Sequence, residues 1–318
     1  MIPPTGERNA RVSLTESIHD KIKTPPVKIP DSALKTGIYD LTKEELGSPI
    51  ELREGVTLRY LTPPHRKRWL LDKLLLGSDL TFLYGYFRQI IRGRKDALAG
   101  TFFDPRWIEL SGGILELMEG CGGKFQIEGI ENVISPKGPV IFAGNHMSVL
   151  ETFVFPYFLV PHRRVTYVVK ESLIKGNFFG PIMRTRDPIA VGRENPREDL
   201  VKVLEEGVAL LKKGVSIVVF PQSTRTISFN PAEFNSIAVK LAARAGVQVV
   251  PFAIKTDFWQ NGKLMKDLGT LSRKNTIHMK FGKAIDPKED SRKAQETLLN
   301  FVLTNLKEWK VPILDSNS

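Results

Sequence analysis

The sequence predicts an α/β fold: a mostly parallel β-sheet covered by helices on both faces, with an N-terminal helical hairpin and an extended arm before it. Three observations carry this expectation. Beyond Gly123, short runs of near-continuous Val and Ile alternate with helix-length segments, as in sheets buried on both faces. Gly214 and Gly246 each follow a helix-like run and precede a strand-like one, the place of a C′ glycine. The apolar run Val140–Ala143 ends in Gly144-Asn145-His146, so a histidine stands at a strand-to-helix junction, where α/β folds keep their chemistry.

Taken in order, residues 1–64 hold 8 of the 21 prolines without sustained periodicity, which predicts an extended or partly disordered arm. From His65 to about Arg94 the chain reads as one amphipathic helix. It opens with His65-Arg66-Lys67-Arg68, carries Trp69, Tyr84 and Tyr86 among many leucines, and closes with Arg88, Arg92 and Arg94. Cations at both ends of a wide apolar face suit a helix lying in a membrane interface. The alternative is an ordinary hairpin packed on the next helix, Pro105–Glu119, within residues 65–122. Residues 123–318 form the α/β domain. Its expected strands are Lys124–Ile130, Val140–Ala143, Val165–Val169, Ile189–Val191, Ser216–Phe220, Val247–Ile254 and Ile277–Phe281. Its expected helices are Val149–Leu159, Glu198–Lys213, Ala232–Ala245 and Ala294–Lys310.

Composition narrows the partners. With 46 Lys+Arg against 35 Asp+Glu, the net charge of +11 suits anionic lipid, nucleic acid or acidic proteins. The basic residues are spread over arm, helices and turns with no RNA- or DNA-binding motif, so no nucleic-acid partner is expected. A single cysteine, Cys121, excludes an intramolecular disulfide and a cysteine metal cluster, and fits a reducing compartment. No His-Glu-x-x-His or comparable spacing is present, so no metal is expected. The N-terminus lacks the apolar region of a signal peptide, and no uncharged apolar run approaches the ~18 residues of a membrane span. The expected location is cytoplasmic, and peripheral attachment to the inner face of the membrane follows only from the resemblance set out below.

Two constellations carry chemistry. The first is His146 with Glu151 five positions later. Imidazole serves as a general base near neutrality, and a carboxylate can fix its tautomer. Five residues along a helix is about 140° around its axis, so the two can meet only if His146 precedes the helix. Ser148-Val149-Leu150-Glu151 also fits a capping box, which by itself explains the carboxylate. Both readings place His146 on the turn. The second is Phe220-Pro221-Gln222-Ser223-Thr224-Arg225, in which hydroxyls and an arginine follow a strand and form a candidate anion pocket. Arg193 again follows a strand, Ile189–Val191.

Together these residues resemble the glycerolipid acyltransferases of the 1-acyl-glycerol-3-phosphate (lysophosphatidic acid) acyltransferase type. That family has four ordered blocks. Asn145-His146 with Glu151 matches the first, Ile189 to Arg193 the second, Phe220 to Arg225 the third, and Val250-Pro251, read as closing a strand, the fourth. The chain departs twice: Glu151 stands where Asp is commoner, and Gln222-Ser223 replaces Glu-Gly, which bears on the acceptor's identity. The resemblance implies acyl transfer from acyl-CoA or acyl carrier protein to a hydroxyl of a lysophospholipid in phospholipid biosynthesis, with no cofactor. It implies catalysis by His146 and Glu151 and substrate binding by Asn145, Arg193, Ser223, Thr224 and Arg225. Two alternatives stay open: a non-phosphate lysolipid as acceptor, and a non-catalytic lipid-binding protein of the same fold.

Overall fold

The computed structural model describes residues 24–75, 78–192, 194–222, 224–262 and 267–314. Its strands, in chain order, are β1 (Val27–Lys28), β2 (Ile38–Leu41), β3 (Ile50–Glu51), β4 (Thr57–Leu61), β5 (Phe125–Glu128), β6 (Ile141–Gly144), β7 (Val165–Lys170), β8 (Ile189–Val191), β9 (Ser216–Val219), β10 (Val249–Lys255) and β11 (Ile277–Phe281). Six helices exceed eight residues: α1 (Leu80–Leu98), α2 (Asp104–Gly120), α3 (Leu150–Leu159), α4 (Pro196–Lys212), α5 (Ile237–Ala245) and α6 (Ser291–Glu308).

Nine strands form one sheet in the order β2-β4-β5-β11-β10-β6-β9-β7-β8. Only the β4–β5 and β10–β11 steps are antiparallel. Alternation along each strand sends side chains to opposite faces. Phe142, Val218, Val250 and Phe252 enter a core shared with α1, α2 and α3. Ile141, Ile217, Val219 and Val249 enter a second core under α4, α5 and α6. The α/β expectation therefore holds, with helices on both faces. Both expected C′ glycines have left-handed backbone, with φ of 77° at Gly214 and 67° at Gly246.

Four expectations need correction. Residues 24–64 are not an extended arm, because β2 and β4 add two strands to the sheet; residues 1–23 lie outside the described residues. The segment is fastened by side chains as well. The Tyr60 hydroxyl (2.7 Å) and the Thr62 hydroxyl (2.5 Å) both donate to the buried Glu119 carboxylate of α2. The single helix expected from His65 to Arg94 is two pieces, a turn at Leu70–Leu74 and then α1. The run expected from Ala232 to Ala245 is a 3₁₀ turn at Pro231–Glu233 followed by α5, which starts only at Ile237. Finally, Pro251 does not close its strand. It pairs with Ala143 inside β10, which runs on to Lys255. A proline is tolerated there because its carbonyl accepts from Gly282 N–H (2.8 Å), so its missing donor faces the side where the β11 ladder has just ended.

One ion network joins the helical unit to the sheet domain. Asp72 has no exposed surface and accepts from Arg68 and, at 3.0 Å, from Arg273. The same guanidinium reaches Asp79 at 3.3 Å and the Cys121 carbonyl at 3.0 Å. Arg273 thus ties together the turn before α1, the N-cap of α1 and the end of α2. Removing the charge from a buried pair strands its partner, which costs on the order of 3 kcal/mol. Asp72→Asn is therefore expected to lower unfolding free energy by about that amount in urea melts; an unchanged midpoint would show that the network contributes nothing net.

Candidate active site

The site is built where β10, β6 and β9, three adjacent strands, end. Gly144 closes β6 because nothing larger fits: a Cβ there would lie 2.1 Å from the Phe252 carbonyl of β10. The chain then turns through Asn145-His146-Met147-Ser148 before entering α3.

Glu151, in the first turn of α3, faces back into this turn and is fully buried. Its Oε1 accepts from His146 Nδ1 at 2.9 Å, Met147 N–H at 2.9 Å and Ser148 N–H at 3.0 Å. Its Oε2 accepts from the Ser148 hydroxyl at 3.1 Å and the Thr256 hydroxyl at 2.8 Å. Burial alone would raise this carboxyl's pKa. The hydrogen bond and charge of His146, with the backbone N–H groups, outweigh it and hold the group below the ordinary value. The expected capping box does not form: Val149, not Ser148, is the N-cap of α3, and it has no side-chain cap. Ser148 Oγ accepts from Leu150 N–H (3.1 Å), and Glu151 Oε1 bonds the Ser148 N–H ahead of the helix together with the imidazole.

His146 is held on every side. Its ring stacks on Phe220 with centroids 3.9 Å apart and planes 19° from parallel. Its N–H donates to Gln222 Oε1 (2.7 Å) and its carbonyl accepts from Thr226 N–H (3.1 Å). The Nδ1–H tautomer that donates to Glu151 leaves Nε2 as the basic nitrogen, pointing its chemistry away from the carboxylate.

The structure redistributes the other expected residues. Asn145 was expected to bind substrate, but its side chain is buried and already used: Nδ2 donates to the Ile254 carbonyl (2.8 Å) and Oδ1 accepts from Ile254 N–H (2.9 Å). It extends the β6–β10 ladder by one side chain. Gln222, noted in the sequence only as a departure, supplies the oxygen that fixes His146, and its Nε2 donates to Thr226 Oγ1 at 3.3 Å. Arg225 lies in the same turn, ion-paired to Asp267 at 2.6 Å. Thr224 sits half-buried beside it. Arg193 and Ser223 lie outside the described residues. Sequence reasoning missed Thr256 and Asn261, whose Nδ2 donates to the Met147 carbonyl at 2.9 Å. Thr256 directly follows β10, so a hydroxyl at a strand's carboxyl end was its one signal.

Comparison with known proteins agrees with this geometry. A family model described as acyltransferase matches residues 124–255. The 1-acyl-sn-glycerol-3-phosphate acyltransferase of Pseudomonas aeruginosa is 30% identical over 152 residues, 48% of this chain and 57% of that protein. A probable 1-acyl-sn-glycerol-3-phosphate acyltransferase of Mycoplasma genitalium is 29% identical over 164 residues, 50% of this chain and 60% of that protein. The chain thus spans about half the length of the curated relatives it matches. The crystal structure of the 1-acyl-sn-glycerophosphate (LPA) acyltransferase PlsC from Thermotoga maritima shares the fold, with a TM-score of 0.53 at 18% identity over 77% of this chain and 94% of that one. The histidine and carboxylate of this site pair inside the matched region, and over about half of its length the chain is similar to the 1-acyl-sn-glycerol-3-phosphate acyltransferases.

Proposed function

We propose that the protein moves a fatty acyl group from a thioester, acyl-CoA or acyl carrier protein, to the free hydroxyl of 1-acyl-glycerol-3-phosphate. The observation that carries this reading is the 2.9 Å contact between His146 Nδ1 and a fully buried carboxylate at the end of a central strand. His146 Nε2 takes the acceptor's hydroxyl proton as that oxygen attacks the thioester carbonyl carbon. The tetrahedral intermediate expels the thiolate, which recovers the proton from the imidazolium. Glu151 stabilises the imidazolium between these steps. No acyl-enzyme is needed. Cys121 is buried, and burial followed by the charge of Asp72 pushes its thiol up to about 12, far from a nucleophile's range. Arg225 and Thr224, with Arg193 and Ser223 by their sequence positions, hold the acceptor's phosphate.

The acceptor lives in a bilayer, and the helical unit is suited to meet one. No helix among the described residues is long and apolar enough to cross a membrane. Leu80, Tyr84, Ile91 and Leu98 lie along one face of α1 and are exposed, Tyr84 by 69%. Leu70 and Leu74 extend the patch, exposed by 71% and 68%. Arg88 and Lys95 share the α1 face and are exposed too, the mixture of an interfacial helix. The flanking Arg66 and Arg68 do not serve as the sequence suggested. Arg66 pairs with Glu116 (3.4 Å) and Glu119 (3.7 Å), and Arg68 with Asp72. Among the described residues of this segment, Lys67, Lys73, Arg88 and Lys95 are exposed cations with no ion pair.

Three measurements follow from this reading. With lysophosphatidate and either thioester, His146→Ala should lose at least ~10²-fold in turnover at unchanged thermal stability; near-normal turnover refutes the base. Glu151→Gln can keep all five hydrogen bonds, since the Ser148 and Thr256 hydroxyls can accept from an amide, so its loss of turnover isolates the charge. The native Glu151 carboxyl titrates below its ordinary 4.5, so its stabilising share is present above that value and is lost as pH falls through the native pKa. The unfolding curves of wild type and Glu151→Gln should therefore converge on acidification. Lastly, replacing Lys67, Arg88 and Lys95 with Gln should weaken sedimentation with anionic vesicles, at about 1 kcal/mol per cation, and flatten its salt dependence. Equal binding to neutral and anionic vesicles would return the segment to an ordinary hairpin.

A further inference from the structure

The turn that fixes His146 also carries Arg225, three residues after Gln222 and one before Thr226, both of which bond the His146 backbone. Its guanidinium meets Asp267 through one contact, Nη1 to Oδ1 at 2.6 Å. An end-on contact uses one edge of a group that can grip an anion with two parallel bonds. Among the described residues, no other acceptor takes the remaining N–H groups of Arg225. Neither partner is sealed away, since the Arg225 and Asp267 side chains are 17% and 31% exposed. A soluble anion or a lipid headgroup can therefore compete with the aspartate.

A second, separate observation lies on α1, where Tyr86 packs against Trp259 of the segment that leads to Asp267. Tyr86 is buried with 1% exposure, and among the described residues its hydroxyl has no hydrogen-bond partner. Its ring is fixed against Trp259 at 5.0 Å and Phe153 at 5.4 Å, so the hydroxyl cannot swing to find one. Burial foremost, then the charge of Asp267, raises its pKa, while Arg225 lowers it. The hydroxyl is therefore a neutral donor that lies within the field of the ion pair. A buried hydroxyl without a partner is costly, and a ligand that supplies an acceptor removes the cost.

We infer that Asp267 occupies the place of the acceptor's phosphate on Arg225, and that the Tyr86 hydroxyl is a further donor to that phosphate once it displaces the aspartate. This rests on the acceptor reading of Arg225 given above and adds two specificity-determining residues to it. A phosphate monoester offers three oxygens and a larger charge than a carboxylate, so it can grip the guanidinium and still accept from Tyr86. A neutral acceptor can do neither. Because Tyr86 belongs to α1, headgroup binding also draws the helical unit and the sheet domain onto one ligand.

The test is calorimetric binding of dispersed lysophosphatidate to the whole chain without donor, beside turnover with acyl-CoA. Asp267→Asn should tighten lysophosphatidate about 3- to 5-fold, since a competitor has gone. Tyr86→Phe should weaken it about 10-fold. Inorganic phosphate as competitor should shift in the same directions, while monoacylglycerol, which lacks the anion, should not shift. The Tyr86→Phe unfolding midpoint should stay level or rise, because no internal bond is lost. Weaker binding by Asp267→Asn makes Asp267 a mere support for Arg225 and overturns the inference. A lowered midpoint in Tyr86→Phe at unchanged affinity places a structural partner on the hydroxyl and also overturns it. These binding shifts in a chain that transfers no acyl group would uphold the inference and sink the acyltransferase reading; normal transfer without them would do the reverse.

Discussion

Taking the Glu151 carboxylate out of water costs several kcal/mol, and only its five hydrogen bonds can offset that. Two of those bonds fix the turn Met147-Ser148, two reach the Ser148 and Thr256 hydroxyls, and one orients His146. The side chain is therefore not an accessory to a preformed turn. The turn takes its shape because a buried charge demands donors, and the donors nearest in sequence are those of residues 146–148. Thr256 brings in β10, and Asn145 ties the same two strands together through Ile254. The position of the imidazole is set by the same interactions that hold β6 against β10.

The remaining surface of His146 is set by the turn that follows β9. Phe220 packs against the ring while Gln222 and Thr226 fix its backbone. Gln222 matters here for its carbonyl oxygen, which a glutamate would also provide. The change from Glu to Gln removes charge next to the histidine without removing the bond. The helical unit is fixed to this assembly through Arg273, which spans Asp72, Asp79 and the end of α2. An exposed apolar face and the His146 turn thus sit on one frame.

What could be read from the chain follows a physical rule: features whose partners are near in sequence show, and features whose partners are distant do not. Strands β8 and β11 match expectation to the residue because each alternates buried with half-buried residues and is bounded by charges and turns. The His146–Glu151 pair was legible because only five residues separate its members, with the turn before α3 bringing them together. Thr256 meets Glu151 across 105 residues and Asn145 meets Ile254 across 109, and nothing local marks either. Strands β2 and β4 were hidden for the same reason. They are four and five residues long in a proline-rich stretch, and β4 pairs with β5 only through register matches such as Tyr60 with Ile127. The inward turn of Arg66 was equally invisible, since a run of cations reads as a solvated flank until Glu116 and Glu119 on α2 are placed.

The strand order also imposes a timetable on synthesis. β6 lies between β10 and β9, both of which leave the ribosome after it, and β5 waits for β11, made some 150 residues later in the chain. While those strands are still missing, Asn145 has no backbone to clamp and Glu151 has no Thr256. The helical unit, by contrast, emerges early with its leucines uncovered. A nascent chain of this protein therefore exposes this apolar face well before His146 is held in place, so one surface is complete while the other still waits for its strands.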